Sequence, residues 1–293
     1  GSEMCIRDSD LYLRVFADRS ELIHSDGTTE IFQEGSPDAA TRLRYEAITK
    51  AFADGYLQQQ VELCRDTPEL IDVSLINDIH MGYFHTLVGS LTSEIGRALI
   101  ALTVMQLAIK VIAPQQSIRL HKGGRGSKDF SWREGISMRS LDKKYVTPTL
   151  RHYNLLFMNA DGFMMTRSLA ENYPYTFVYK AQVRGAKREW LLIVEEIENG
   201  TLPCQAALHF VISLLLNKQK AFLERADTTL RLVKQFNNLP QTNVASHIKS
   251  LIFSLIDESE YAARVMEIVM HSFLQVILDR ASSGLELRPL AQM

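Results

Sequence analysis

A metal-assisted attack on a phosphodiester needs clustered carboxylates to hold the divalent ion and a lysine to orient or activate water. The nearest match in this chain is Asp129 and Asp142 with Lys144, with Glu134 between them. Asp142 has a second reading. It follows Ser140-Leu141 at an expected helix start, where a carboxylate complements the helix dipole. Other patterns are weaker. His80 and His85 are five residues apart, about 140° around a helix, so they cannot share a metal there. His209 and His271 lie in apolar helical stretches and read as core histidines. Glu195, Glu196 and Glu198 precede Asn199-Gly200 and read as a solvated acidic helix end. There is no HExxH, CxxC or GxSxG, and LHKGGRGS (120–127) lacks the spacing of a nucleotide-binding loop. It reads as a flexible basic loop.

Positive charge is the stronger signal. Residues 118–190 hold 14 Lys/Arg against 6 Asp/Glu, whereas the whole chain has 32 against 34. A basic segment in an otherwise acidic chain points to a polyanion, because its local field concentrates phosphates even at near-zero net charge. The bland alternative is that basic and acidic regions face each other within one fold.

The elements around these residues read as mainly α. Thr147-Pro148 has the form of a helix start, with Thr as cap and Pro in the first turn. A short helix through TPTLRHYNLL would carry Arg151 on one face and Leu150 and Leu155 on another. Asn159-Ala160-Asp161-Gly162 is a turn signal between two apolar strands. Helix plus hairpin, followed by Thr166-Arg167, resembles a winged helix-turn-helix: one helix for the major groove and a wing for phosphates. After a turn at Pro174, a helix is expected to about Glu198. On it Lys180, Arg184 and Arg188 would form one stripe flanked by Lys187, with Val183, Leu191 and Val194 opposite. A solvated face is the ordinary meaning of such a stripe.

The expected organisation is a leader at residues 1–9, a helical region at 10–115, a basic DNA-binding region at 116–200 and a second helical region at 201–293. Residues 10–38 mix short apolar runs with turn signals. Asp38 caps a helix over 39–65, Thr67-Pro68 opens another, and a long helical pattern covers 73–112 with a break near Gly89-Ser90. Gly200 and Pro203 separate two helices, and the second runs to Asn237-Asn238 in one piece or two. Asp257 or Ser259 caps a last helix ending near Ser283-Gly284. The apolar run at 98–112 is too short and too polar to span a membrane. Cys5, Cys64 and Cys204 are isolated, which fits a reducing bacterial cytoplasm. GSEMCIRDS looks like an expression scar followed by a translated adapter, and the final LELRPLAQM has no polar finish, so a fragment is expected.

QSIRLHKGG (116–124), SLDKKYVTPTLR (140–151) and DGFMMTRSLAENYPYTFVYKAQVRGAKREWL (161–191) resemble segments of restriction–modification-associated proteins of the type II restriction endonuclease class. The likeness covers about the middle third well and the following helices more weakly. It implies duplex-DNA recognition, Mg²⁺-dependent cleavage and a homodimer. It also implies a PD-(D/E)XK site in sequence following the PLAQM at 289–293. Arg139, Arg151 and Arg167 are then expected at bases or grooves. Lys143, Lys144, Lys180, Arg184 and Arg188 are expected at phosphates, with Arg125 and Lys187 beside them. Two further readings use the same residues differently: a non-enzymatic DNA-binding regulator, and a helical scaffold whose basic middle docks an acidic protein.

Overall fold

Strands come first in this mainly helical chain. The structure is a computed structural model that describes residues 4–8, 11–90, 94–121, 131–156, 173–179, 185–235, 242–258 and 262–281. Met4–Asp8 (β1), Leu11–Val15 (β2), Arg19–Ile23 (β3) and Thr29–Gln33 (β4) form an antiparallel sheet in the order β1-β2-β3-β4. The reading of residues 10–115 as helical is thereby corrected for its first part, and β1 lies within the stretch set aside as a leader. Register places Leu13 opposite Leu22, Leu22 opposite Glu30 and Ser20 opposite Phe32. Directly opposed residues share a face, so Glu30 points the same way as the apolar set. That face packs on Leu120, Trp132 and Val178 in a small core. Ile31, on the other face, is exposed.

The helices follow the local signals in several places. Asp38 caps Ala39–Ala53 (α1), its carboxylate accepting from the Thr41 N–H at 2.7 Å. The expected helix over 39–65 is broken at Asp54-Gly55, and Tyr56–Asp66 (α2) follows. Thr67-Pro68 opens only a 3₁₀ turn, Pro68–Leu70, which corrects the expected helix start there. Asn77 caps Asp78–Gly89 (α3) by accepting from the His80 N–H at 2.8 Å. The break expected near Gly89-Ser90 separates α3 from Glu94–Ile112 (α4).

Helix α4 is the centre of the main core. Every residue from Ala98 to Ile109 is buried, as expected of a helix apolar on all sides. The two polar side chains within that stretch, Thr103 and Gln106, are hydrogen-bonded. The Thr103 hydroxyl donates to the Leu99 carbonyl at 2.8 Å. The Gln106 amide donates to the Ile118 carbonyl at 3.1 Å and accepts from the Trp190 indole at 3.0 Å. Among the described residues no helix is long and apolar enough to cross a membrane.

Lys187–Glu198 (α7) lays Trp190, Leu191, Ile193, Val194 and Ile197 against this core. Cys204–Gln235 (α8) is one uninterrupted helix of 32 residues. Val244–Glu258 (α9) and Ala262–Ala281 (α10) complete the described elements. Asp257 falls inside α9, so it does not cap α10. The chain forms two compact units, Gly1–Asn217 and Lys218–Met293.

His209 is buried where α8 meets α2. Its Nε2 lies 2.8 Å from Gln60 Oε1 and 2.6 Å from Gln205 Nε2. The reading of His209 as a satisfied core histidine therefore agrees with the structure, whereas His271 is half-buried. Burial pushes the His209 pKa below its ordinary 6.5. A depressed histidine pKa means that the unfolded chain takes up the proton first. The contribution to stability is thus complete above the ordinary value and lost as pH falls below it. His209→Gln should lose less stability than the native chain between about pH 7 and about pH 5, measured by denaturant unfolding.

Candidate nucleic-acid interface

The basic face is built on one helical segment of three parts: Met138–Leu141 (α5), a π turn at Asp142–Val146, and Thr147–His152 (α6). Thr147-Pro148 does open α6, with Pro in its first turn, but Thr147 is no cap, because helical backbone runs into it from the π turn. Pro148 has no N–H to give to the carbonyl four residues back. The Thr147 N–H instead reaches Asp142 O, the i to i−5 bond of a π turn. The Asp142 carboxylate closes the same turn by accepting from the Thr147 hydroxyl at 2.7 Å.

Burial separates two faces. Met138, Leu141, Asp142, Val146, Thr147, Thr149 and Leu150 point inward, and Tyr145 stacks on Phe52 of α1 with centroids 6.1 Å apart. Lys143, Lys144, Pro148, Arg151 and His152 are exposed, and Arg139 is half-exposed. The sole acidic residue of the segment is the buried Asp142, so its solvent face carries only positive formal charge. Lys143, Lys144 and Arg151 make no ion pair with any described residue. Both ends of the segment are fixed. The Met138 N–H donates to His121 Nδ1 at 3.2 Å, and the Tyr153 hydroxyl donates to Glu62 of α2 at 2.6 Å.

The helix expected to carry Lys180, Arg184 and Arg188 as one stripe does not extend back past Lys187. Gly185 is in the left-handed region at φ +88°, and α7 begins only at Lys187. Lys187 is occupied internally: its ammonium donates to the Tyr179 carbonyl at 2.7 Å and lies 5.6 Å from the ring centroid. Burial lowers its pKa. Arg188 is exposed on α7. Arg125, Asp129, Arg167, Lys180, Arg184 and the Asn159–Gly162 turn lie outside the described residues.

The acidic end of α7 is not a solvated default. The Arg119 guanidinium, 1% exposed, donates to Glu195 at 2.8 Å and to the Tyr175 carbonyl at 3.1 Å. Its Nε lies 3.7 Å from Glu30 on β4. Glu198 accepts from Lys110 at 2.7 Å, from the Ser117 hydroxyl at 3.1 Å and from the Ile118 N–H at 2.6 Å. Glu196 pairs with His80 at 3.4 Å and accepts from the Thr201 hydroxyl. Desolvation pushes the Glu30 carboxyl up; Arg119 opposes this, and Glu198 and Glu195 add to it. Basic and acidic regions thus meet inside the fold at Arg119, while the 138–152 segment keeps its charge outward.

The expectation of a Mg²⁺-dependent restriction endonuclease is corrected. Among the described residues no three His, Cys, Asp or Glu side chains assemble as a metal site. Asp142 is buried in its bond to Thr147, while Lys144 faces solvent. His152, exposed beside Arg151, belongs to the basic face and was passed over. Its place in the last helical turn next to an arginine was the available signal. No family model, curated protein or solved structure matches the chain.

Proposed function

We propose that the chain binds duplex DNA through the solvent face of residues 138–152, with Arg139, Lys143, Lys144 and Arg151 as its cations. The observation carrying this reading is a helical surface whose exposed charges are all positive and whose only carboxylate is turned inward. A helix edge with cations at successive turns suits a groove flanked by phosphates. Lys143 and Lys144 are both exposed, so both can meet phosphates. The isolated cysteines, of which Cys64 and Cys204 are free thiols, suit a bacterial cytoplasm. The proposal is binding alone; strand cleavage is not part of it.

Lys143→Glu/Lys144→Glu tests the reading without disturbing the fold, because both side chains are exposed. Duplex affinity in a fluorescence-anisotropy titration should drop about tenfold or more, with unchanged thermal unfolding. Equal affinity for the native and reversed chains would remove the proposal.

A further inference from the structure

The connection between α2 and α3 has two sides. Ile71 and Val73 pack against the main core and Ile76 is buried within it. Leu70, Leu75 and Ile79 point the other way and are 68%, 67% and 65% exposed. Among the described residues of the first unit, the other exposed large apolar side chains are Ile31 and Leu43. Three of five within ten residues is clustering, not the ordinary scatter of apolar groups on a surface. The backbone beneath them is tied down. The Asp72 carboxylate accepts from the Ser74 N–H at 2.9 Å and from its hydroxyl at 2.6 Å, and Asn77 caps α3. The three side chains are therefore held out by an ordered backbone, which lowers the entropy lost when a partner covers them.

We propose that Leu70, Leu75 and Ile79 form a docking surface for a basic amphipathic segment of another protein. Charge complementarity selects that partner. Residues 67–79 contain Glu69, Asp72 and Asp78 and no Lys or Arg. All three carboxylates are exposed, and none makes an ion pair with a described residue. Apolar anchors inside a rim of one charge favour a partner that carries apolar side chains flanked by the opposite charge. An amphipathic helix with Leu-type residues on one face and Lys or Arg beside them has that composition. The same rim repels nucleic acid and anionic lipid headgroups. It also disfavours a second copy. Pairing this stretch with itself would set carboxylates against carboxylates. The exposed part of the 138–152 segment offers Lys143, Lys144 and Arg151, but no large apolar side chain to cover the leucines. This inference is independent of the DNA-binding reading.

Fluorescence anisotropy of the full chain tests it with two labelled peptides. The first is a peptide of Leu and Lys at helical spacing, and in the second Ser replaces every Leu. The native chain should bind the first peptide at least about tenfold more tightly than the second. Leu75→Ser/Ile79→Ser should weaken that binding about tenfold with thermal unfolding unchanged, because both side chains are exposed. Glu69→Lys/Asp78→Lys should weaken it by a similar factor in low salt and by less as salt rises. Equal binding of the two peptides, or of the native chain and either variant, would overturn the proposal. So would self-association of the native chain that Leu75→Ser/Ile79→Ser abolishes, which would assign the face to a second copy. A Leu75→Cys thiol that a maleimide labels only after unfolding would also overturn it, by showing the face covered within the chain itself.

Discussion

Glu195→Leu is expected to destabilise the first unit by roughly 3–5 kcal/mol, as breaking a buried ion pair by removing one partner does. The Arg119 guanidinium would remain almost fully buried, with the Tyr175 carbonyl and the more distant Glu30 as partners. The asymmetry of the pair makes the expectation specific. Glu195 and Glu30 side chains are 17% and 40% exposed, against 1% for Arg119. Water can therefore solvate a carboxylate left behind far better than a guanidinium left behind. Arg119→Leu should consequently cost less than Glu195→Leu, and the double variant should recover much of the loss of Glu195→Leu. Urea unfolding of the three variants measures this. Equal losses for the two single variants would show that burial of Arg119 does not govern the pair.

Gly96→Ala should be nearly as damaging, against the usual trend. Exchanging Gly for Ala inside a helix ordinarily stabilises by about 1 kcal/mol. At position 96 the added Cβ would lie 2.8 Å from the Ser90 carbonyl carbon and closer still to its oxygen. The obstacle is backbone, which cannot rotate away as a side chain can. A loss of about 3 kcal/mol is expected, at the upper end of overpacking costs. Gly82→Ala supplies the control. It lies on an exposed turn of α3 with nothing within 4 Å of the new atom, and should be neutral or stabilising. Thermal unfolding that moves both variants the same way would refute the close approach.

These two sites show what the sequence could and could not convey. Elements governed by neighbouring residues were readable: the Asp38 cap, the break at Gly89, the Gly200 and Pro203 boundary. Each is fixed by a hydrogen bond or backbone preference within a few positions. The N-terminal sheet was not readable, because β4 turns Glu30 inward and Ile31 outward, the reverse of an apolar alternation. Arg119, which lies 3.7 Å from that carboxylate, is distant in the chain. The same distance hid the roles of Glu195 and Glu198, whose partners lie on other elements. Thr147-Pro148 marked the start of α6 but not the π turn before it, which leads helical backbone into Thr147 and leaves it without a capping role.

Of the basic residues singled out, the structure gathers Arg139, Lys143, Lys144 and Arg151 on one helical segment. It turns Lys187 to Tyr179, and it takes Arg119, which entered the reading only through the charge count, into the core. A charge tally cannot separate these fates, because it records how many cations a segment holds and not which ones find a carboxylate or a carbonyl.

The most direct test of the DNA-binding account is the salt dependence of duplex affinity for the native chain, measured without divalent metal. Four cations meeting phosphates predict a linear fall of log affinity with log salt, with a slope of about −3 to −4, since each phosphate contributes about 0.9. Affinity should therefore drop about a hundredfold between roughly 50 and 200 mM salt. A flat dependence, or no binding at the low-salt end, would contradict it.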